Sequence, residues 1–257
     1  FLPSGSVSWL YYADRLMEFP AGMLGVALGT ILLPSLSKMH ADKNPTEFSA
    51  LLDWGLRLTL MLTLPAALGL ALLAVPLITT LFYHGAFGAS DVFQTRTALI
   101  AYSAGLAGLI LVKVLAPAFY ARQDVRTPVK FGLITLAVTQ LMNLVFIGPL
   151  QHAGLALSIG LASCINAGML YHGLRKRGIY QPQPGWGKFA AKLGVALVVL
   201  GLAVWFAVGA DSVWLGYRGT ERTIRLLALV IGGILVYFAT LFALGFRVKD
   251  FRRRGAS

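Results

Sequence analysis

Seven apolar stretches, each long enough to cross a bilayer, fill most of this 257-residue chain. A membrane-spanning helix needs about 20 apolar residues, whereas the strands of a membrane barrel are shorter and alternate in polarity. The sequence therefore predicts an all-α integral membrane protein with seven transmembrane helices, most of them joined by short loops. The predicted spans are Trp9–Leu33, Leu58–Phe82, Ala98–Tyr120, Val129–Ile147, Ala153–Leu174, Phe189–Val208 and Ile224–Phe246.

The distribution of basic residues predicts how the chain is oriented. Of the 22 Lys and Arg residues, sixteen lie in the loops that follow the first, third, fifth and seventh spans, and four lie in the alternate loops. Cytoplasmic loops carry the excess of positive charge, so we expect the C-terminus in the cytoplasm and residue 1 on the outer side. The chain begins Phe1-Leu2-Pro3 without Met, and we expect it to be the downstream part of a longer protein, with an odd number of spans before it.

Composition argues against several classes of function. The chain is 57% hydrophobic and 12% charged, against about 25% charged residues in a soluble domain. Its net charge of +12 resides in short loops, which favours contact with anionic lipid headgroups over nucleic acid. The chain has no phosphate-binding P-loop motif, its four His residues lack metal-ligand spacing, and its single cysteine, Cys164, excludes an internal disulfide. These features predict a transporter and not an enzyme.

The first span carries an unusual cluster of charges, Asp14, Arg15 and Glu18, just ahead of Pro20. Each charge near the middle of a membrane costs roughly 2.5–3.5 kcal/mol, and the spacing places all three within one wide sector of the helix. Pro20 favours a kink, because it leaves the carbonyl of Leu16 without its helical partner. Two interpretations remain open: an ion pair that holds the helix near the outer interface, or a cationic donor in a water-filled cavity.

Other polar groups lie inside later spans. Lys113 precedes Pro117 in the third span, where its side chain either extends toward the cytoplasm or lines a cavity. In the fourth span Thr139, Gln140 and Asn143 form a polar group that Ser163 and Asn166 of the fifth span could face. Such a group either binds a cation or forms hydrogen bonds between helices.

Several stretches resemble the MurJ (MviN) lipid II flippases, a family of the multidrug/oligosaccharidyl-lipid/polysaccharide (MOP) exporter superfamily. The most specific are residues 6–20 (SVSWLYYADRLMEFP) and 25–34 (GVALGTILLP). Further matches are LVKVLAP at 111–117, QDVRTPVK at 123–130 and PQPGW at 182–186. The resemblance covers nearly the whole chain, with no matching feature in the loop at about 209–221.

The resemblance implies a division of the chain into two regions. Members of the family have fourteen spans in two lobes, and this chain would supply spans eight to fourteen, which agrees with an odd number of preceding spans. Residues 1–177 would form most of the second lobe, with five spans. Residues 178–257 would form two additional spans, whose hydrophobic groove takes the polyprenyl tail of the substrate.

The implied function is transfer of lipid II, the undecaprenyl-pyrophosphate-linked peptidoglycan precursor, from the inner to the outer leaflet of the bacterial inner membrane by alternating access. Arg15 matches the cavity arginine of the family and Glu18 its acidic neighbour, while Asp14 and Lys113 are further candidates for substrate binding. Thr139 and Asn143 fall near a sodium site of some relatives, although Asn143 is neutral where a relative has an acid. No bound cofactor is expected, and a cation gradient or the membrane potential would drive transport.

The partners implied by the resemblance are lipid II, membrane lipids and the missing N-terminal half of the same protein, with no role for nucleic acid. Three alternatives stay open at this point. One is a related exporter of another polyprenyl-linked saccharide, which would need the same basic cavity. The second is a scaffold for cell-wall enzymes that transports nothing, and such a scaffold would tolerate the loss of Arg15. The third is a cation-coupled drug exporter, although a cationic cavity is poorly suited to cationic drugs.

Overall fold

The computed structural model describes residues 2–247, and within this range the chain forms eight helices and no strand. The basic residues Lys249 and Arg252 to Arg254, used above to predict orientation, lie outside the described residues, as does residue 1. The helices are α1 (Ser6–Ala41), α2 (Pro45–Leu72), α3 (Ala74–Phe82), α4 (Ala89–Tyr120), α5 (Arg126–Lys176), α6 (Trp186–Val208), α7 (Asp211–Gly216) and α8 (Gly219–Ala243).

Helix α5 contains two of the predicted spans. Its 51 residues are interrupted at Gln151, whose φ of 50° and ψ of −130° are not helical. A Cβ atom on Gly154 would lie 2.4 Å from the carbonyl oxygen of Phe146, and one on Gly173 would lie 3.2 Å from the ring of Phe131. The chain therefore doubles back, and α5 is a hairpin of two arms, residues 126–150 and 152–176. Among the described residues, 2–247, six helices are long and apolar enough to span a membrane. Counting the two arms of α5 separately gives the seven predicted spans.

Several helices extend beyond the predicted spans, and one predicted span is divided. Helix α2 begins at Pro45, well before Leu58, because Asn44 caps it by accepting a hydrogen bond from the Glu47 amide at 3.2 Å. The second predicted span is divided at Leu73 into α2 and α3. Helix α1 remains helical through Pro20, the position of the predicted kink.

Helix α4 is the centre of the bundle. It packs against α1, α2, α3 and the second arm of α5, and its apolar residues are more buried than those of the other spans. The main buried cluster joins these elements. A second cluster, which includes Met61, Leu200 and Tyr237, joins α6 and α8 to the flank of α2. The first arm of α5 and one face of α1 are left with exposed apolar side chains.

Glycines set the distance between α4 and the second arm of α5. A Cβ atom on Gly105 would lie 2.0 Å from the Cα of Gly160, and one on Gly108 would lie 2.5 Å from the amide nitrogen of Cys164. Lipid tails are as apolar as leucine, so helices in a membrane associate through close packing of this kind. The small residues of these two predicted spans are thus the main contact between the arm and the rest of the bundle.

We expect Gly105→Ala to destabilise the protein by about 2 kcal/mol or more, because the new methyl group would force two helix backbones apart. The measurement is the free energy of unfolding in detergent. Gly168→Ala is the matched control, since a Cβ atom on Gly168 has no neighbour within 4 Å. Equal stability of the two variants would show that α4 and the arm do not pack at Gly105.

Candidate functional site

The exposed face of α1 carries the predicted charged pair. Ala13, Leu16 and Met17 are buried against the bundle, which turns Arg15 and Glu18 to the opposite side. Their side chains are 56% and 54% exposed, and Nη1 of Arg15 lies 2.8 Å from Oε2 of Glu18. The guanidinium carbon also lies 5.0 Å from the centre of the Tyr11 ring. All contacts of this guanidinium are therefore with its own helix, and it retains donors for a ligand.

Asp14 lies on a different side of α1 from Arg15. It is half-buried, and the buried Tyr102 of α4 is close enough to interact with it electrostatically. The structure thus brings Arg15 and Glu18 into contact and turns the third member of the cluster toward the interior of the bundle.

Lys113 crosses from α4 to α1. Its ammonium group donates a hydrogen bond to the carbonyl oxygen of Ala21 at 3.1 Å. Its stem passes over Gly25, where a Cβ atom would lie 2.4 Å from the Cδ of Lys113. The glycine makes room for the lysine, and the ammonium points back along α1 toward Glu18. The side chain therefore extends away from the C-terminal end of α1, which is the end predicted to be cytoplasmic.

Thr139 and Asn143 are separate from these charges. Thr139 donates to the carbonyl of Thr135 within its own arm at 2.8 Å, and the side-chain amide of Asn143 is 3.5 Å from Oε1 of Gln140. Within residues 2–247 no hydrogen bond or ion pair joins Thr139 or Asn143 to Arg15, Glu18 or Lys113. Two buried amide oxygens, Oδ1 of Asn143 and Oδ1 of Asn166, have no hydrogen-bond donor. Oxygen atoms of this kind are suitable cation ligands.

A buried carboxylate that the sequence reasoning missed organises the linker between α5 and α6. Oδ1 of Asp53 accepts hydrogen bonds from the Tyr180 hydroxyl at 2.7 Å, the Trp186 indole at 2.8 Å and the Gln183 amide at 3.0 Å. Its Oδ2 accepts from Nε of Arg57 at 2.8 Å. Burial, and then the adjacent carboxylate, raise the pKa of Tyr180, which keeps this hydroxyl a neutral donor. We refer to these five residues as the Asp53 clamp.

Two other buried groups were also missed. The ring of His152, the residue after Gln151, packs 5.1 Å from that of Trp9 and lies 2.9 Å from the carbonyl of Gln94. Arg222 donates to three backbone carbonyls, of Thr79, Trp214 and Leu215. An acid four residues before an arginine was a visible signal for Asp53, whereas the contacts of His152 and Arg222 depend on distant parts of the chain.

An all-helical bundle of apolar spans, with an arginine–glutamate pair kept on an open helix face, has the features of one part of a polytopic membrane transporter. The sequence model of the family described as Lipid II flippase MurJ matches residues 1–218. The chain is 53% identical to the Lipid II flippase MurJ of Burkholderia cenocepacia, over 98% of this chain and 49% of that protein. It is 40% identical to the Probable lipid II flippase MurJ of Vibrio cholerae, over 98% of this chain and 48% of that protein.

A solved structure described as Lipid II flippase MurJ, inward closed conformation, superposes with a TM-score of 0.75 and 26% identity, over 93% of this chain and 47% of that one. The chain belongs to the MurJ family, and it spans about half the length of the curated relatives it matches. The family resemblance predicted from sequence is thereby confirmed.

We expect Asp53→Ala to destabilise the protein by roughly 3–5 kcal/mol, because it breaks a partly buried ion pair and leaves Nε of Arg57 and three further donors without their acceptor. Thermal unfolding in detergent measures the loss, and amide hydrogen exchange should rise in residues 178–185. Asp42→Ala, at an exposed turn, is the control and should change neither quantity. Unchanged exchange in Asp53→Ala would show that the clamp does not fix the linker.

Proposed function

We propose that this chain forms the second lobe and the additional span pair of a lipid II flippase, and that it works together with a first lobe from the N-terminal half of the same protein. The exposed pair on α1 is the main support. A guanidinium and a carboxylate on the open face of an apolar helix are costly in lipid, but they are stable beside a water-filled cavity. That cavity would form where this face of α1 meets the first lobe.

Arg15 is the residue suited to the headgroup. A planar guanidinium holds two oxygens of a phosphate at once and stays charged when it is partly desolvated. We propose that the pyrophosphate of lipid II replaces Glu18 as the partner of Arg15, with Lys113 adding positive charge and Asp14 tuning the site. This exchange would allow the headgroup to cross about 30 Å of hydrocarbon without its water.

A groove between α2 and α6 is suited to the polyprenyl tail. It has a volume of about 450 Å³ and is lined by apolar residues, among them Leu68, Leu72, Leu202 and Trp205. In this proposal residues 1–177 bind the headgroup and residues 178–257 complete the groove. The second buried cluster, in which residues of α6 and α8 pack on the flank of α2, supports the part of the proposal that concerns the groove.

The two arms of α5 carry groups suited to cation coupling. The unpaired Oδ1 atoms of Asn143 and Asn166 supply neutral ligands there. We propose that a cation gradient or the membrane potential drives alternating access, with Thr139 and Asn143 as candidates for the cation site. The C-terminus would be cytoplasmic and residue 1 would lie on the outer side of the inner membrane.

We expect Arg15→Ala in the intact protein to lower lipid II transport about tenfold or more, the equivalent of one lost hydrogen bond between charged groups. The intact protein would be the only flippase in a depletable strain. Surface exposure of lipid II would be followed by its cleavage with an externally added degrading enzyme. Arg15→Lys shows whether charge alone is enough.

Arg225→Ala is the matched control for Arg15→Ala. Arg225 forms an ion pair with Glu221 at 3.0 Å, and its side chain is 52% exposed. It lies 4.2 Å from the centre of the Tyr217 ring, so all of these contacts fall within residues 217–225, far from Arg15 along the chain. Continued lipid II exposure in Arg15→Ala would make Arg15 a helix anchor and would favour the scaffold alternative. Normal insertion of every variant must be verified in the membrane fraction.

We expect Gly201→Leu to reduce transport several-fold, because the larger side chain would fill the groove beside Leu68, 3.5 Å from where a Cβ atom would lie. Gly194→Leu on the same helix is the control, since a Cβ atom there has no neighbour within 4 Å. The same cleavage assay measures both variants. Full transport by Gly201→Leu would place the polyprenyl tail elsewhere.

A further inference from the structure

A half-open cavity of about 350 Å³ lies where α1, α2, α4 and α5 meet at one end of the bundle. This is the opposite end of α1 from Arg15, and the proposed transport site uses none of its residues. Its lining includes basic side chains from three segments: His40 and Lys43 from the turn between α1 and α2, Arg122 after α4, and Arg177 at the end of α5. Lys and Arg side chains brought together in this way can form charge-assisted hydrogen bonds to one anion.

Only part of this positive charge is neutralised inside the protein. Arg177 forms an ion pair with Asp124, donates to the Thr127 hydroxyl at 2.8 Å and lies 5.6 Å from the Phe119 ring. The Thr127 hydroxyl and then Arg177 lower the pKa of Asp124. This carboxylate therefore stays charged and remains the partner of Arg177. Within residues 2–247 no carboxylate forms an ion pair with Lys43 or Arg122. The cavity therefore keeps two uncompensated cations.

The backbone holds Lys43 at the cavity. Lys43 has a left-handed φ of 51°, and the tight turn around it is closed by hydrogen bonds from the amides of Lys43 and Asn44 to the carbonyls of His40 and Met39. This turn points the N-terminal end of α2, at Asn44 and Pro45, into the cavity. The half positive charge of this helix N-terminus is offset by Glu47 in the first turn of α2 and by the neighbouring helix C-termini, so the attraction for an anion comes from the cationic side chains.

Helix C-termini do not explain the basic cluster. Basic side chains often offset the partial negative charge at the ends of helices, and His40 and Arg177 do lie at the ends of α1 and α5. Each such end carries only about half a unit charge, and the N-terminus of α2 offsets part of that charge. Lys43 and Arg122 lie beyond the ends of α1 and α4, and their charge remains available for a ligand.

We propose that this cavity binds a phosphate group, with Lys43 and Arg122 as its direct partners and Arg177, fixed by Asp124, as the wall behind them. Its volume is at the small end of ligand pockets, which suits a phosphate with a short substituent and not an extended acidic peptide. The phosphate could belong to a membrane lipid headgroup, since the lining residues lie among the loops at the ends of the spans, or to a soluble phosphate compound.

The test measures phosphate binding directly and requires no transport. Because the proposed headgroup site would also bind pyrophosphate, every protein compared, the reference included, carries Arg15→Ala, which keeps the outcome independent of the proposed flippase function. The intact protein would be placed in nanodiscs of phosphatidylcholine. One arm titrates inorganic pyrophosphate against sodium chloride of equal ionic strength and measures binding by calorimetry. The other arm adds phosphatidic acid and counts the lipids retained by native mass spectrometry.

The test variant is Lys43→Asn combined with Arg122→Gln. Asparagine tolerates the left-handed backbone at position 43, so the turn is retained while the charge is lost. Arg126→Gln combined with Lys130→Gln is the matched control, because both residues are exposed, lie near the same end of the bundle and do not line the cavity. We expect binding to weaken about tenfold or more in the test variant and to stay within about twofold in the control.

The two arms identify the source of the phosphate. If the test variant loses binding of phosphatidic acid alone, the phosphate belongs to a lipid headgroup. If it loses binding of pyrophosphate alone, the phosphate belongs to a soluble compound. The proposal is overturned if the test variant binds both probes as the reference does, or if the control loses as much as the test variant. Thermal unfolding and size-exclusion chromatography verify that each variant is folded.

Discussion

The contact between α4 and the second arm of α5 at Gly105 and Gly160 is the interaction on which the rest of the bundle depends. The hydrophobic effect does not drive helices together inside a bilayer, because lipid tails are as apolar as the helices. Their backbones therefore have to approach closely to gain packing energy. This contact fixes α4 in the centre, and α4 in turn supports α1. Gly25 of α1 also leaves space for a neighbouring helix, but here the space is filled by the side-chain stem of Lys113 and not by a helix backbone.

The hydrogen-bond partners of the basic residues distinguish the structural cations from the candidate functional ones. Lys113 and Arg222 each donate to backbone carbonyls of another segment, and Arg57 donates to the carbonyls of Gln183 and Pro184 in the linker before α6. Arg15 has no such partner outside α1 within residues 2–247. A basic residue that contributes nothing to the contacts between helices, yet lies on an apolar helix, is most simply explained by a ligand or by a second lobe.

The sequence predicted the fold well because hydropathy and length are enough to identify spans. The reversal at Gln151 was predicted as a short loop, and the structure makes it tighter. The pairing of Arg15 with Glu18 followed from helical spacing alone. The position of Lys113 could not be predicted, because it depends on which glycine of α1 lies opposite it. The Asp53 clamp was missed for the same reason, since its donors are about 130 residues away along the chain.

The Asp53 clamp has a mechanical consequence. It fastens the linker before α6 to α2 through Oδ1 of Asp53, which accepts hydrogen bonds from Tyr180, Gln183 and Trp186. The Tyr237 hydroxyl donates to the carbonyl of Met61 at 2.6 Å and fastens α8 to α2 further along. Two attachment points at different heights on one helix resist both sliding and swivelling. If the lobe rocks between two conformations, α6 and α8 move with α2 as one rigid unit. The apolar groove that they share with α2 then keeps the same width in both conformations.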